Sequence, residues 1–120
     1  MAFILTVDDS KVIRDLVEAV LIENGHKVVT ADDGVQGLDA VRNNQFDMIL
    51  SDINMPNMTG ISMVSKVRRI EGYEHIPIVM LTTESSDFKK SKAKTIGATG
   101  WLQKPFDPDH LMKAVNKLVG

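Results

Sequence analysis

Short apolar segments alternate with longer amphipathic segments along the chain. Five segments have strand length and are rich in apolar and β-branched residues: Phe3–Val7, Lys27–Ala31, Phe46–Ser51, Ile78–Thr82 and Thr99–Gln103. The stretches between them repeat apolar residues at helical spacing. The alternation predicts successive β-α-β units.

Five helices are predicted from apolar spacing and from capping residues. They run from Lys11 to Asn24, from about Asp33 to Asn43, from about Gly60 to Ile70, from about Ser86 to Ile96, and onward from Asp107-Pro108. The first helix places six apolar residues on one predicted buried stripe: Val12, Ile13, Leu16, Val17, Val20 and Leu21. Asp33 and Gln36 have the spacing of a capping box at the start of the second.

The strands predict the fold class. The segments MILS and IVML are almost continuously apolar, as in strands covered on both faces, and helical crossovers make neighbouring strands parallel. We predict an α/β fold: a three-layer α/β/α doubly wound sandwich with a five-stranded parallel sheet. Residues 1–120 are expected to form a single domain, since nothing in the sequence resembles a linker or a repeat.

Composition excludes several classes of protein. Fourteen Lys and Arg against sixteen Asp and Glu give a net charge of −2, which provides no field for holding nucleic acid. The chain has no cysteine, so a disulfide framework is excluded. The first residues do not form a signal peptide, and no apolar run is long enough to span a membrane. A soluble, cytoplasmic protein is expected.

Polar residues that could bind a ligand or take part in a reaction follow four of the predicted strands. They are Asp8, Asp9, Asp52, Thr82, Thr83 and Lys104. Because the carboxyl ends of parallel strands share one edge, these side chains should converge. Any one acid there commonly caps a helix, but three neighbouring carboxylates repel one another unless a cation lies among them.

An oxygen-only ligand set suits Mg²⁺. Asp9, with Asp8 directly or through water, would hold the metal beside Asp52. The backbone carbonyl of Asn54 could complete its shell. These residues predict a magnesium site.

Carboxylates, a lysine and a hydroxyl around Mg²⁺ describe a phosphoryl-transfer site. An ionised Asp52 can attack phosphorus in line and form an acyl phosphate. Lys104 can pair with the transferred oxygens, and the Thr82 hydroxyl can move to bond them. Covalent capture would then become a conformational signal.

Four motifs in order carry a family resemblance: VDDS around Asp8 and Asp9, D-x-x-M-P-x-M-x-G from Asp52 to Gly60, Thr82, and GA…KPF from Gly97 to Phe106. The whole chain resembles a response-regulator receiver domain of the CheY-like, single-domain chemotaxis type. The resemblance implies a flavodoxin-like sheet of order 2-1-3-4-5 and two-component signalling. It also implies a cis Lys104-Pro105 bond.

By the same resemblance, Asp52 is the phosphoacceptor, Asp8 and Asp9 are the acidic pair, Thr82 is the switch hydroxyl and Lys104 is the family lysine. The phosphoryl group would come from a phosphohistidine on a sensor histidine kinase of the CheA-like kind. Output would pass through the face of the fourth helix, fifth strand and fifth helix to a flagellar motor switch protein, and a phosphatase is a further partner. We expect a monomer that turns over no external substrate.

Three residues adjust this interpretation. The family's aromatic switch is usually Tyr or Phe, but position 101 is Trp, so Trp101 either rotates on activation or only packs between the last two helices. Asn54 and Glu84 match the pair found in CheY-type proteins, and we expect them to set the rate of dephosphorylation.

Other functions remain to be compared. A receiver could serve a non-chemotaxis phosphorelay, act as a phosphate sink, or only dock. A haloacid-dehalogenase-type phosphatase needs a second acid two residues after its nucleophile, where this chain has Asn54. A flavodoxin-like flavin carrier needs a phosphate loop where this chain has the acids of VDDSK.

Overall fold

The computed structural model describes residues 1–83, 91 and 94–119. The described elements are β1 (Phe3–Val7), α1 (Lys11–Glu23), β2 (Lys27–Ala31), α2 (Gly34–Asn43), β3 (Met48–Asp52), α3 (Gly60–Val67), β4 (Ile78–Thr82), β5 (Gly100–Gln103) and α4 (Pro108–Val119). All strand pairs are parallel, in the order β2-β1-β3-β4-β5. This confirms the predicted fold class and the strand order implied by the resemblance.

Two apolar clusters cover the two faces of the sheet. On one face, Leu5 and Val7 of β1 join the buried sides of α2 and α3. On the other face, Ile4 joins the buried sides of α1 and α4. Successive residues of a strand point to opposite faces, so one apolar strand contributes to both clusters. The sandwich therefore has three layers.

Side-chain caps fix where three helices begin. The Ser10 hydroxyl accepts a hydrogen bond from Ile13 N at 3.3 Å, and the Thr59 hydroxyl accepts one from Ser62 N at 3.2 Å. Asp33 Oδ1 accepts from Gln36 N at 2.8 Å, which confirms the predicted cap of α2. Each cap satisfies a backbone N–H that has no partner within its helix.

The predicted apolar stripe of α1 is too wide. Val17, Val20 and Leu21 are buried, but Val12 is 76% exposed and Leu16 is 37% exposed. A helix on a flat sheet buries an arc of about 100° to 140°, and Val12 and Leu16 lie beyond it. They form an exposed apolar strip instead.

Two predicted boundaries also differ from the structure. The third strand begins at Met48 and includes Asp52; Phe46 precedes it, with its N–H donated to the Tyr73 hydroxyl at 3.0 Å. The third helix ends at Val67 rather than Ile70. Contacts to a residue distant in the chain, such as Phe46 to Tyr73, leave no periodic signal in the sequence.

Most of the predicted fourth helix lies outside the described residues. Ser91, Lys94 and Thr95 are helical, whereas Glu84 falls among the residues that are not described. Within the described ranges, none of the helices is both long and apolar enough to cross a bilayer.

Candidate functional site

Three acids meet at the carboxyl edge of the sheet. Asp8 and Asp9 follow β1, and Asp52 ends the neighbouring strand β3, whose Ser51 pairs with Val7. One carboxylate oxygen from each acid lies within 4.8 Å of the others. Asp8 is fully buried, Asp52 is 8% exposed and Asp9 is exposed. The structure thus brings together the three acids that the strand ends predict.

Lys104, the residue after β5, pairs with two of these acids. Its backbone N–H donates to the Thr82 carbonyl at 2.7 Å, and this bond holds the residue after β5 beside β4. Its ammonium nitrogen lies 2.6 Å from Asp8 Oδ2 and 3.6 Å from Asp52 Oδ1. The Lys104-Pro105 bond is cis, as the resemblance implied. The partly buried ammonium of Lys104 therefore faces Asp8 and Asp52.

Asp8 is fixed by four hydrogen bonds. Besides Lys104, its carboxylate accepts from Ser10 N at 2.9 Å, and its backbone N–H donates to the Ala31 carbonyl at 3.1 Å. Its carbonyl accepts from Arg14 Nη1 at 2.7 Å. Sequence reasoning missed Arg14, because an arginine in the first turns of an amphipathic helix normally faces solvent. These bonds leave the Asp8 side chain little freedom to move.

The environment of Asp52 opposes its ionisation. Burial is the main cause, and the nearby charges of Asp8 and Asp9 add to it, while Lys104 and the hydrogen bond from Ile53 N act in the opposite direction. The net effect is that the pKa of Asp52 is raised to about 6. A partly buried acid beside other acids is the arrangement that a bound cation would relieve.

The donor set fits Mg²⁺. The three acids offer only oxygen, and one of them is exposed, which leaves room for the waters that this ion retains. No histidine or cysteine shares the cluster among the described residues, so a softer transition metal has no preferred ligand there. Asp8, Asp9 and Asp52 are therefore the side chains that could hold Mg²⁺.

The other predicted site residues lie around the acids. Thr82 ends β4 and is 1% exposed, on the strand adjacent to that of Asp52. Asn54 is exposed, two residues after Asp52. Thr83 is also exposed at the end of β4. The prediction for Glu84 concerns a residue outside the described part of the chain.

The loop after Asp52 is closed at its base by backbone bonds. Ile53 N donates to Asp52 Oδ1 at 2.8 Å, and Gly60 N donates to the Ile53 carbonyl at 2.8 Å. A Cβ atom on Gly60 would overlap the Asp52 carbonyl oxygen, so the glycine permits this close approach. The start of α3, at Gly60, thereby lies directly against the end of β3.

Trp101 lies on the edge strand β5, one strand from Thr82. Its side chain is 42% exposed. It borders two shallow cavities of about 340 and 190 Å³, one shared with Lys94 and the other with Ala114 and Leu118 of α4. Trp101 therefore lies near Lys94 on one side and near α4 on the other, and both sequence interpretations of it stay predictions.

Arg68 is a second residue that sequence reasoning missed. Its guanidinium donates to the carbonyls of Tyr73, Ile76 and Gly97 at 2.7 to 3.0 Å. Burial lowers the pKa of Arg68. These partners precede β4 and β5, at the opposite edge from the acids, so Arg68 braces the fold rather than the site.

Known proteins match almost the whole of this chain. Residues 4–116 match the family model described as the response regulator receiver domain. A chemotaxis protein CheY homolog of Campylobacter jejuni is 34% identical over 119 residues, which span 98% of this chain and 92% of the relative. Some matched relatives are longer: the chain spans 52% of a probable transcriptional regulator ycf29 of Pyropia yezoensis.

Solved structures agree in fold. The chemotaxis response regulator CheY4 of Vibrio cholerae is 47% identical, with a TM-score of 0.95 and 99% of each chain covered. The receiver domain of the sensor histidine kinase PA1611 of Pseudomonas aeruginosa is 28% identical, with a TM-score of 0.91 and 99% and 98% coverage, and its structure holds a magnesium ion in the active site cleft. This chain belongs to the response regulator receiver domain family of two-component systems, and it is a CheY-like receiver domain.

Proposed function

We propose that this protein is a phosphoacceptor, in which Asp52 receives a phosphoryl group and the whole chain acts as one receiver unit. The observation that carries the proposal is the cluster of Asp8, Asp9 and Asp52, whose carboxylate oxygens lie within 4.8 Å of one another, with Lys104 paired to Asp8 and Asp52. A structural cap requires only one of these acids.

Asp8, Asp9 and Asp52 would hold Mg²⁺, together with the backbone carbonyl of Asn54. When bound, the ion would supply the positive charge that offsets repulsion between the Asp52 carboxylate and an incoming phosphoryl group. Because Asp8 is fully buried and held by four hydrogen bonds, it provides a fixed ligand, whereas the exposed Asp9 can accommodate water in the shell.

The transfer begins with an ionised Asp52. One of its carboxylate oxygens attacks the phosphorus of a phosphohistidine and forms an oxygen-phosphorus bond, while the phosphorus-nitrogen bond breaks. The electron pair of that bond returns to the imidazole nitrogen, which then takes a proton. Lys104 lies 3.6 Å from Asp52 Oδ1, close enough for its ammonium to pair with a phosphoryl oxygen after a small movement.

Thr82 and Trp101 would transmit the change. The Thr82 hydroxyl would bond the phosphoryl oxygens, since its strand adjoins that of Asp52. Trp101 lies on the next strand, β5, and its side chain would rotate in response. The predicted output surface is the face formed by the fourth predicted helix, β5 and the C-terminal helix.

Asn54 and Glu84 would tune the loss of the phosphoryl group. Asn54 is exposed two residues after Asp52, where its side chain can meet an attacking water. The chain catalyses its own phosphorylation and dephosphorylation in this account, and it turns over no external substrate.

The partners follow from the similarity to CheY proteins. We propose a CheA-like histidine kinase as phosphodonor, a flagellar motor switch protein as output and a phosphatase as regulator, with a cytoplasmic monomer as the working form. The 47% identity to a chemotaxis regulator over 99% of both chains supports chemotaxis over another phosphorelay. The alternative is that the chain is the receiver of a non-chemotaxis phosphorelay or a phosphate sink. The haloacid-dehalogenase alternative is set aside because Asn54 cannot act as a general acid.

Phosphotransfer and motility together test this proposal. A chemotaxis histidine kinase carrying radiolabelled phosphate should lose its label to the wild type within minutes and not to Asp52→Asn. A chemotaxis-negative strain that lacks its own CheY should regain swimming reversals with the wild type only.

Label retained on the kinase would contradict phosphoacceptor function. Label transferred without recovery of reversals would contradict the motor assignment and favour another phosphorelay or a sink.

A further inference from the structure

Asp33 uses both oxygens of its carboxylate. Oδ1 accepts from Gln36 N at 2.8 Å and caps α2, whereas Oδ2 accepts from the side-chain amide of Asn57 at 2.8 Å. The second bond joins the start of α2 to the loop that follows Asp52. Capping α2 requires only the bond from Gln36 N, so the bond from Asn57 contributes something other than a helix cap.

The two segments also fit closely around this bond. Asn57 has a φ of 68°, in the left-handed region that asparagine enters more readily than most residues. A Cβ atom on Gly34 would lie 2.6 Å from the Met58 carbonyl oxygen, so the first residue of α2 lies directly against the loop. The tip of the loop is thus seated on the helix.

This loop carries a group of the proposed metal site. Its base is held by two bonds: Ile53 N donates to the Asp52 carboxylate, and Gly60 N donates to the Ile53 carbonyl. Between base and tip lies Asn54, the proposed carbonyl ligand. With the base and the tip both fixed, the orientation of the intervening carbonyl is restricted.

We propose that Asp33 is a positioning residue for the metal site, acting through Asn57 to hold the Ile53–Thr59 loop so that the Asn54 carbonyl faces the acids. This inference rests on the proposed function, because it assumes that Mg²⁺ binds among Asp8, Asp9 and Asp52. Asp33 itself touches neither the metal nor the phosphoryl group.

Two variants separate the loop contact from the helix cap. Asp33→Ser keeps an oxygen for Gln36 N but has none for Asn57, and Asn57→Gly removes the amide while tolerating a positive φ. Asp32→Ser is the matched control, because it removes an exposed negative charge one residue away. Folding of each variant is checked by circular dichroism at the assay temperature.

The readouts are the Kd for magnesium chloride by isothermal titration calorimetry of unphosphorylated protein, and hydrogen exchange of the loop amides without metal. Asp33→Ser and Asn57→Gly should each weaken Mg²⁺ binding about tenfold, as loss of an outer support does in metal sites. The double variant should be no weaker than either single variant, since both remove the same bond. Loop exchange should accelerate in all three, and Asp32→Ser should match the wild type.

A reversed bond provides a rescue. Asn57→Asp alone places two carboxylates in contact and should weaken Mg²⁺ binding. Combining it with Asp33→Asn restores an amide-to-carboxylate bond with the donor exchanged, and should return the Kd to within about twofold of the wild type.

Wild-type Mg²⁺ affinity in both Asp33→Ser and Asn57→Gly would overturn the positioning role, and so would additive losses in the double variant. Those results leave the proposed function intact, provided that the wild type binds Mg²⁺ and is phosphorylated on Asp52. Absence of Mg²⁺ binding by the wild type would overturn the proposed function and this inference with it.

Discussion

The ammonium nitrogen of Lys104 lies 2.6 Å from the buried carboxylate of Asp8, 96 residues earlier in the chain. The cation proposed to bind a phosphoryl group is thus paired with an acid in the metal-free protein. Removal of one member of a buried pair leaves the other charge uncompensated. This relationship makes Lys104 a structural residue as well as a candidate catalytic one.

Lys104→Met should therefore lower the free energy of unfolding of the metal-free protein by about 3 kcal/mol, measured by urea denaturation at pH 7. Mg²⁺ should restore much of that loss, because the bound ion would supply the positive charge beside Asp8 that the variant lacks. Lys11→Met is the control: its pair with Asp15 is exposed and should contribute less than about 0.5 kcal/mol. Equal losses in the two variants would refute the buried-pair account.

Asp52→Asn should stabilise the metal-free protein at neutral pH. The raised pKa of Asp52, about 6, means that the folded state holds the proton more tightly than the unfolded state. Its contribution to stability is therefore present below about pH 4 and is lost as the pH rises to about 6. With allowance for solvent screening at this open edge, we expect a gain of about 1 kcal/mol at pH 7.

The same exchange should have little effect at pH 4, where Asp52 is protonated in the folded protein. Denaturation curves at the two pH values measure the difference. A variant that is less stable than the wild type at both pH values would show that the Asp52 carboxylate is mainly structural.

Asp9→Asn should weaken Mg²⁺ binding yet leave or raise the thermal stability of the metal-free protein. Asp9 is exposed beside two other acids, so its charge contributes repulsion rather than a cap. Calorimetric titration and thermal unfolding, with Asp32→Asn as an exposed control, measure both quantities. A large loss of metal-free stability would identify Asp9 as a structural residue.

Thr6→Val tests the interior beneath the site. Among the described residues, the Thr6 hydroxyl is the one buried side-chain polar atom without a hydrogen-bond partner. Replacing it with a methyl group should raise the free energy of unfolding by about 1 kcal/mol. Thr30→Val is the matched control, because Thr30 pairs with Thr6 across β1 and β2 but is exposed. A loss of stability in Thr6→Val alone would contradict this reading.

The convergence of the acids could be predicted from sequence, because in a parallel sheet the strand ends share one edge. The prediction that Asp8, Asp9 and Asp52 lie close together required no knowledge of side-chain packing. The cap at Asp33 was also predictable, since it depends on residues three apart.

What could not be predicted depends on contacts between distant segments. The bond from Asn57 to Asp33 spans 24 residues, and neither residue type signals the other. The exposure of Val12 depends on how α1 is rotated on the sheet, which periodicity alone does not fix. The three carbonyls bound by Arg68 have no side-chain signature at all.

The most direct test of the central claim is the intact mass of the protein after incubation with Mg²⁺ and acetyl phosphate, beside Asp52→Asn and a chelator control. The account predicts that the wild type gains one phosphoryl group only when Mg²⁺ is present, and that Asp52→Asn gains none. An unchanged mass for the wild type, even after a phosphorylated chemotaxis kinase is supplied, would contradict it.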